Sequence, residues 1–151
     1  MAKREVSEDQ RGLVLEEHRE LVRHVSELDD IAAGAAGAGW GPELGRKAAT
    51  VTEHLKQHFS GDAEGTFFAD VARQAPHLIG KLTGLTSEHA EILNEFRQVA
   101  EQAAALDGSD MAAASRLATR TRRAVATLRR HEAEENELIF NAFWDDLGGG
   151  D

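Results

Sequence analysis

Histidine and acidic residues recur at matched spacing in the two halves of this chain. In each half a glutamate directly precedes a histidine, and a second histidine follows 40 or 42 residues later, with a carboxylate four residues beyond it. The histidines and these carboxylates are His18, His58 and Asp62 in the first half, and His89, His131 and Glu135 in the second. Imidazole and carboxylate groups are common metal ligands, so the repeat predicts two half-sites of one metal centre.

The spacing of the ligands indicates how they would meet a metal. Residues four apart on a helix lie on the same face, about 6 Å apart along the axis, so His58 with Asp62, and His131 with Glu135, can address one point. Four imidazoles and two carboxylates without sulfur suit iron or manganese better than copper(I) or a structural zinc ion. Carboxylates on opposite helices would hold two ions about 3.5 Å apart. The sequence therefore predicts a dinuclear centre.

Helices must carry these residues. The chain has 2 prolines, abundant Ala, Leu and Glu, and no alternating β-branched stretches, which favours an all-α fold. Three breaks rich in Gly, Pro or Asp predict four helices, roughly at 8–32, 42–73, 77–106 and 110–146. Candidate N-caps are Ser7 for the first helix and Ser109 or Asp110 for the fourth. Short connections favour an up-down-up-down antiparallel four-helix bundle.

Apolar residues at helical spacing surround the repeated histidines. Leu21 and Val25 follow His18 at i+3 and i+7, and Leu85 and Ile92 flank His89 at i−4 and i+3. This periodicity predicts that all four repeated histidines face the bundle axis. Phe67 and Phe140, each nine residues after a histidine, are expected to pack in the core, and Trp40 to anchor the first break.

Bulk composition limits the function classes. The 151 residues are expected to form a single domain, 1–151, with its core at about 8–146. There is no cysteine, and the net charge of −10 argues against nucleic acid as a partner. No apolar run reaches the length of about 18 residues that a membrane span requires, and the N-terminus is polar, so we expect a cytoplasmic protein without a membrane partner.

The ordered ligand set resembles that of hemerythrin-like (HHE cation-binding) proteins over about residues 10–145. The resemblance implies a four-helix bundle around a non-haem di-iron centre, with two iron ions that are oxo- or hydroxo-bridged. It assigns one histidine each to the first and third helices and an H-x3-[DE] pair to each of the other two. The implied metal ligands are His18, His58, Asp62, His89, His131 and Glu135.

This sequence departs from the family pattern on the third helix. Oxygen-carrying hemerythrins have a second histidine one turn from the first, whereas Leu85 and Leu93 occupy the positions four before and after His89. Candidates to complete the coordination are Glu132, Glu64 and His54. Ferritin-like proteins, with Glu-x-x-His motifs, are disfavoured because no carboxylate lies three residues before any repeated histidine.

The resemblance implies a centre that binds or reacts with a small ligand, O2, H2O2 or NO. One alternative is an enzyme that disproportionates peroxide, as catalases do. Others are an iron-storage or iron-sensing module without turnover, and a metal-free helical interaction module. We expect a monomer or a weak homodimer.

Overall fold

The structure is a computed structural model that describes residues 8–34, 36–60 and 69–148. Within these ranges, the side chains of 8–15, 17, 139 and 142–148 are not described. Four residues with predicted roles lie outside the described residues: Ser7, Asp62, Glu64 and Phe67.

Helices make up nearly all of the described chain. The four long ones are α1 (Glu8–Ala33), α2 (Trp40–Ser60), α3 (Ile79–Ala105) and α4 (Met111–Gly148). Residues 69–74 are also helical, a 3-10 turn spans Pro76–Leu78, and none of the described residues forms a strand. The predicted all-α class is confirmed. The first, third and fourth predicted helices have bounds within two residues of the observed ones. The predicted second helix, 42–73, covers most of α2 and also the helical residues 69–74; the residues between them lie outside the described chain.

Local signals in the sequence explain the helix starts. The Asp110 carboxylate accepts a hydrogen bond from the Ala113 N–H (3.0 Å), so Asp110 is the N-cap of α4, one of the two predicted candidates. Before α2, Gly39 has a φ of 83°, a left-handed conformation that favours glycine. Trp40 follows; its side chain is buried, and its indole N–H donates to the Ile31 carbonyl (2.8 Å). This contact anchors the α1–α2 connection to α1, as expected for Trp40.

Each long helix packs against two others. Helix α2 contacts α1 and α3, and α4 contacts α3 and α1. Helices α2 and α3 approach closely at Gly45, where an added Cβ would lie 3.3 Å from the Ala103 Cβ.

The buried apolar residues form two clusters. The larger cluster draws on all four long helices and includes Leu28, Leu55, Phe96 and Leu128. The smaller is formed by Val71, Ala75, Leu78, Leu82, Leu85 and Leu138. Along α3 and α4 the two clusters are separated, between Leu85 and Ile92 and between Leu128 and Leu138, by the segments that carry the repeated histidines.

One predicted core residue lies on the surface. Phe140 is 61% exposed, so its prediction as a core residue was wrong. Nine residues correspond to about 900° of helical rotation, which places Phe140 on the face opposite His131. Leu138 is buried instead.

Within the described part of the chain, no helix combines the length and apolar character needed to cross a bilayer.

Candidate metal centre

Two groups of three potential ligands lie in the layer between the apolar clusters. We call His18, His58 and Glu132 the outer group, and His89, His131 and Glu135 the buried group. In each group, one nitrogen or oxygen atom from every member lies within 4.8 Å of the others. Each group thus offers two imidazoles and one carboxylate.

The outer group joins three helices through one carboxylate. Glu132 on α4 places one oxygen 3.1 Å from His58 Nε2 on α2 and the other 3.8 Å from His18 Nδ1 on α1. The side chains of His18, His58 and Glu132 are 33%, 21% and 16% exposed, respectively. The group is therefore partly accessible to solvent.

The buried group lies between α3 and α4. His131 Nε2 is 3.3 Å from a Glu135 oxygen one helical turn away, and the two side chains are 0% and 7% exposed. The rings of His89 and His131 are 5.0 Å apart at an angle of 70°. A buried carboxylate beside two imidazoles is costly unless a cation or a proton compensates its charge.

A further carboxylate contacts the buried group from outside. Glu88 on α3 has an oxygen 2.8 Å from His131 Nδ1, so the two nitrogens of this ring face different carboxylates, Glu88 and Glu135. The other Glu88 oxygen lies 3.9 Å from the guanidinium of Arg130.

These surroundings change the protonation of the two buried imidazoles in opposite directions. Burial of His131 is the largest single influence and opposes protonation. The close approach of Glu135 to Nε2, the hydrogen bond to Glu88 and the charges of Glu135 and Glu132 outweigh it and raise the pKa of His131 to about 9. Burial, followed by the charge of His131, lowers the pKa of His89. At neutral pH in the metal-free chain, the His131 ring is thus protonated on both nitrogens and positively charged. The His89 ring is neutral and able to bind a metal.

Phe59 packs among the histidines of both groups. Its ring stacks on His89 with centroids 4.0 Å apart and planes within 6°, and it makes a T-shaped contact with His131, with centroids 5.7 Å apart. The ring of His58, the preceding residue, is 5.6 Å away. Phe59 therefore supplies an apolar wall that limits access of water to the buried group.

Of the six residues predicted as ligands, the structure places five in these groups. His18 and His58 come together in the outer group, and His89, His131 and Glu135 in the buried group. Asp62 is outside the described residues, and so is Glu64. His54 belongs to neither group, because its ring packs against His24, with centroids 4.6 Å apart.

Two carboxylates gain importance from the structure. Glu132, which was predicted only as a candidate to complete the coordination, is the carboxylate of the outer group. Glu88 belongs to the repeated motif, but no role as a ligand or partner was predicted for it. The available signal was the glutamate that directly precedes the first histidine in both halves of the sequence.

Comparison of the chain with protein-family models, with curated proteins and with solved structures finds no match.

Proposed function

We propose that this protein is a hemerythrin-like di-iron protein that binds or reacts with O2, peroxide or NO. The observation that carries the proposal is the pair of neighbouring ligand groups, each with two imidazoles and one carboxylate, at the level where α3 and α4 pass between the two apolar clusters. The cyclic packing of α1, α2, α3 and α4 supports the further proposal of an up-down-up-down four-helix bundle.

The donor set fits two iron ions. His18, His58 and Glu132 would hold one ion, and His89, His131 and Glu135 the other; Asp62 is a further proposed ligand. Nitrogen and carboxylate donors without thiolate suit non-haem iron. Iron in such a centre would supply redox chemistry and coordination of a small ligand.

The side chains around the groups support a role with a small ligand. The partial exposure of the outer group would allow a diatomic molecule or peroxide to enter, while Phe59 would exclude bulk water from the buried group. Glu132, close to both His18 and His58, would supply the anionic ligand for the ion of the outer group. Disproportionation of peroxide is the enzymatic form of this proposal.

The experiment is metal analysis of the purified protein, with optical spectra recorded before and after addition of peroxide. We expect about two irons per chain, from the two groups, near-ultraviolet absorption and a spectral response to peroxide, with oxygen evolution if the protein is an enzyme. His131→Ala should reduce the iron content. The matched control is His54→Ala, which removes an imidazole outside both groups and should keep the iron content of the wild type. A wild-type chain without iron, or with one zinc ion and no spectral response, would refute the redox proposal.

One observation favours iron sensing as a second candidate. The outer group takes its ligands from α1, α2 and α4, so an ion bound there would tie three helices together. For a sensor, we expect iron to raise the unfolding midpoint strongly while added peroxide is not consumed. Rapid consumption of peroxide would contradict the sensor and support the enzyme.

A further inference from the structure

Glu88 is the carboxylate that connects the buried group to the surface. It lies on α3 directly before His89, but the two side chains have different targets: His89 belongs to the buried group, whereas Glu88 reaches across to His131 on α4. Consecutive residues on a helix differ by about 100° in direction, which allows one to face the interior and the other to contact a neighbouring helix.

The contact leaves one nitrogen of His131 for a metal. A neutral imidazole carries a single ring proton, on Nδ1 or on Nε2. A carboxylate 2.8 Å from Nδ1 favours the proton there, because only the protonated nitrogen can donate a hydrogen bond. Nε2, which faces the Glu135 carboxylate at 3.3 Å, is then the nitrogen with a free lone pair.

We infer that Glu88 is a positioning residue, which holds His131 with Nδ1–H toward itself and Nε2 toward the ion of the buried group. This inference rests on the proposed function, because it assumes that the buried group binds a metal. Arg130 extends the arrangement: its guanidinium lies 3.9 Å from the second Glu88 oxygen, on the exposed side. The fully buried His131 ring is thus restrained by Glu88 on one side and by Glu135 on the other.

The test uses zinc as a diamagnetic probe in the full-length chain. Binding of Zn²⁺ is measured by competition with a chromophoric chelator, and the nitrogen shifts of His131 are recorded by two-dimensional NMR of the zinc-loaded protein. In the wild type we expect Nε2 to be the metal-bound nitrogen and Nδ1 to carry a protected proton. A wild-type spectrum with Nδ1 bound to zinc would overturn the inference, whatever the variants do.

Two variants of similar size separate the hydrogen bond from the packing of this side chain. Glu88→Leu removes the acceptor and should weaken zinc binding at the buried group about 10- to 100-fold, the usual cost of losing such a partner. It should also release His131 into a mixture of tautomers. Glu88→Gln keeps an acceptor oxygen and should preserve the Nε2-bound form with a smaller loss of affinity.

The matched control is Glu134→Leu. Glu134 is an exposed carboxylate that also lies near Arg130, 4.0 Å from its guanidinium, and is outside both ligand groups. Its replacement removes the same charge and should leave zinc affinity and the His131 tautomer unchanged. Equal affinities for wild type, Glu88→Leu and Glu134→Leu would refute the role of Glu88 while leaving the metal site intact. A wild-type chain that binds no zinc or iron would refute the proposed function as well.

Discussion

Metal binding to the buried group should release a proton from His131. The pKa of this imidazole is raised to about 9 in the metal-free chain, so nearly all molecules carry the proton at pH 7.5. A metal at Nε2 must displace it. Because pH 7 lies two units below the pKa, this competition should weaken apparent affinity at pH 7 by about 100-fold, or about 3 kcal/mol, relative to pH above 9.

The assay is isothermal titration of Zn²⁺ into metal-free protein between pH 7.0 and 8.5, in buffers with different ionisation enthalpies. The buried group should release close to one proton from His131 per ion, and its affinity should rise about tenfold per pH unit. His131→Ala removes the proton and the ligand together, so its residual binding should lack this slope. A wild-type affinity that does not change across the interval would refute the assignment of His131 as a protonated ligand.

Protonation of His131 also affects the stability of the metal-free protein, which should fall with rising pH while the metal affinity rises. A histidine whose pKa is higher in the folded chain stabilises the fold below its unfolded pKa, near 6.5, and loses that contribution as the pH rises toward 9. The free energy of unfolding of the metal-free protein should therefore fall by up to about 3 kcal/mol between pH 6.5 and 9. Urea denaturation at a series of pH values measures it, and a constant free energy would contradict the prediction.

Three further substitutions test the packing, each by urea denaturation of the metal-free protein. Phe59→Ala removes a partly buried ring and should cost about 2–3 kcal/mol; a loss below about 0.5 would contradict its packing role. Glu95→Gln breaks the two-pronged pairing of Glu95 with Arg120 and should cost about 1 kcal/mol at low salt, while an equal loss in 1 M salt would exclude an electrostatic origin. Gly45→Leu forces a side chain toward Ala103 at the α2–α3 contact and should cost about 1–3 kcal/mol; unchanged stability would show that the helices move apart freely.

Helical periodicity made much of the fold predictable. The all-α class and the bounds of the first, third and fourth helices follow from apolar spacing and from breakers such as the segment around Asp110, whose capping role depends only on local chemistry. The prediction that Phe140 packs in the core was wrong. Its position in a repeated motif suggested a buried residue, whereas the helical rotation from His131 already placed it on the opposite face.

The contacts between the candidate ligands were less predictable from the sequence than their presence near the centre of the helices. His58 and Glu132 are 74 residues apart, and Glu88 and His131 are 43 apart, so each contact depends on how two helices are rotated and shifted against each other. Spacing within one helix contains no information on that register. The position of Glu132 and Glu88 next to repeated histidines indicates that both lie near the candidate metal centre, but it does not show which imidazole each contacts.

The long last helix contributes to both ligand groups, through Glu132 to one and through His131 and Glu135 to the other. A ribosome-bound chain that still lacks this helix therefore has neither group complete, however well the preceding segments have folded. Such a nascent chain would hold metal only weakly, since the affinity depends on ligands that have not been synthesised. Metal binding at either group should thus require that the fourth helix has left the ribosome and packed against the others.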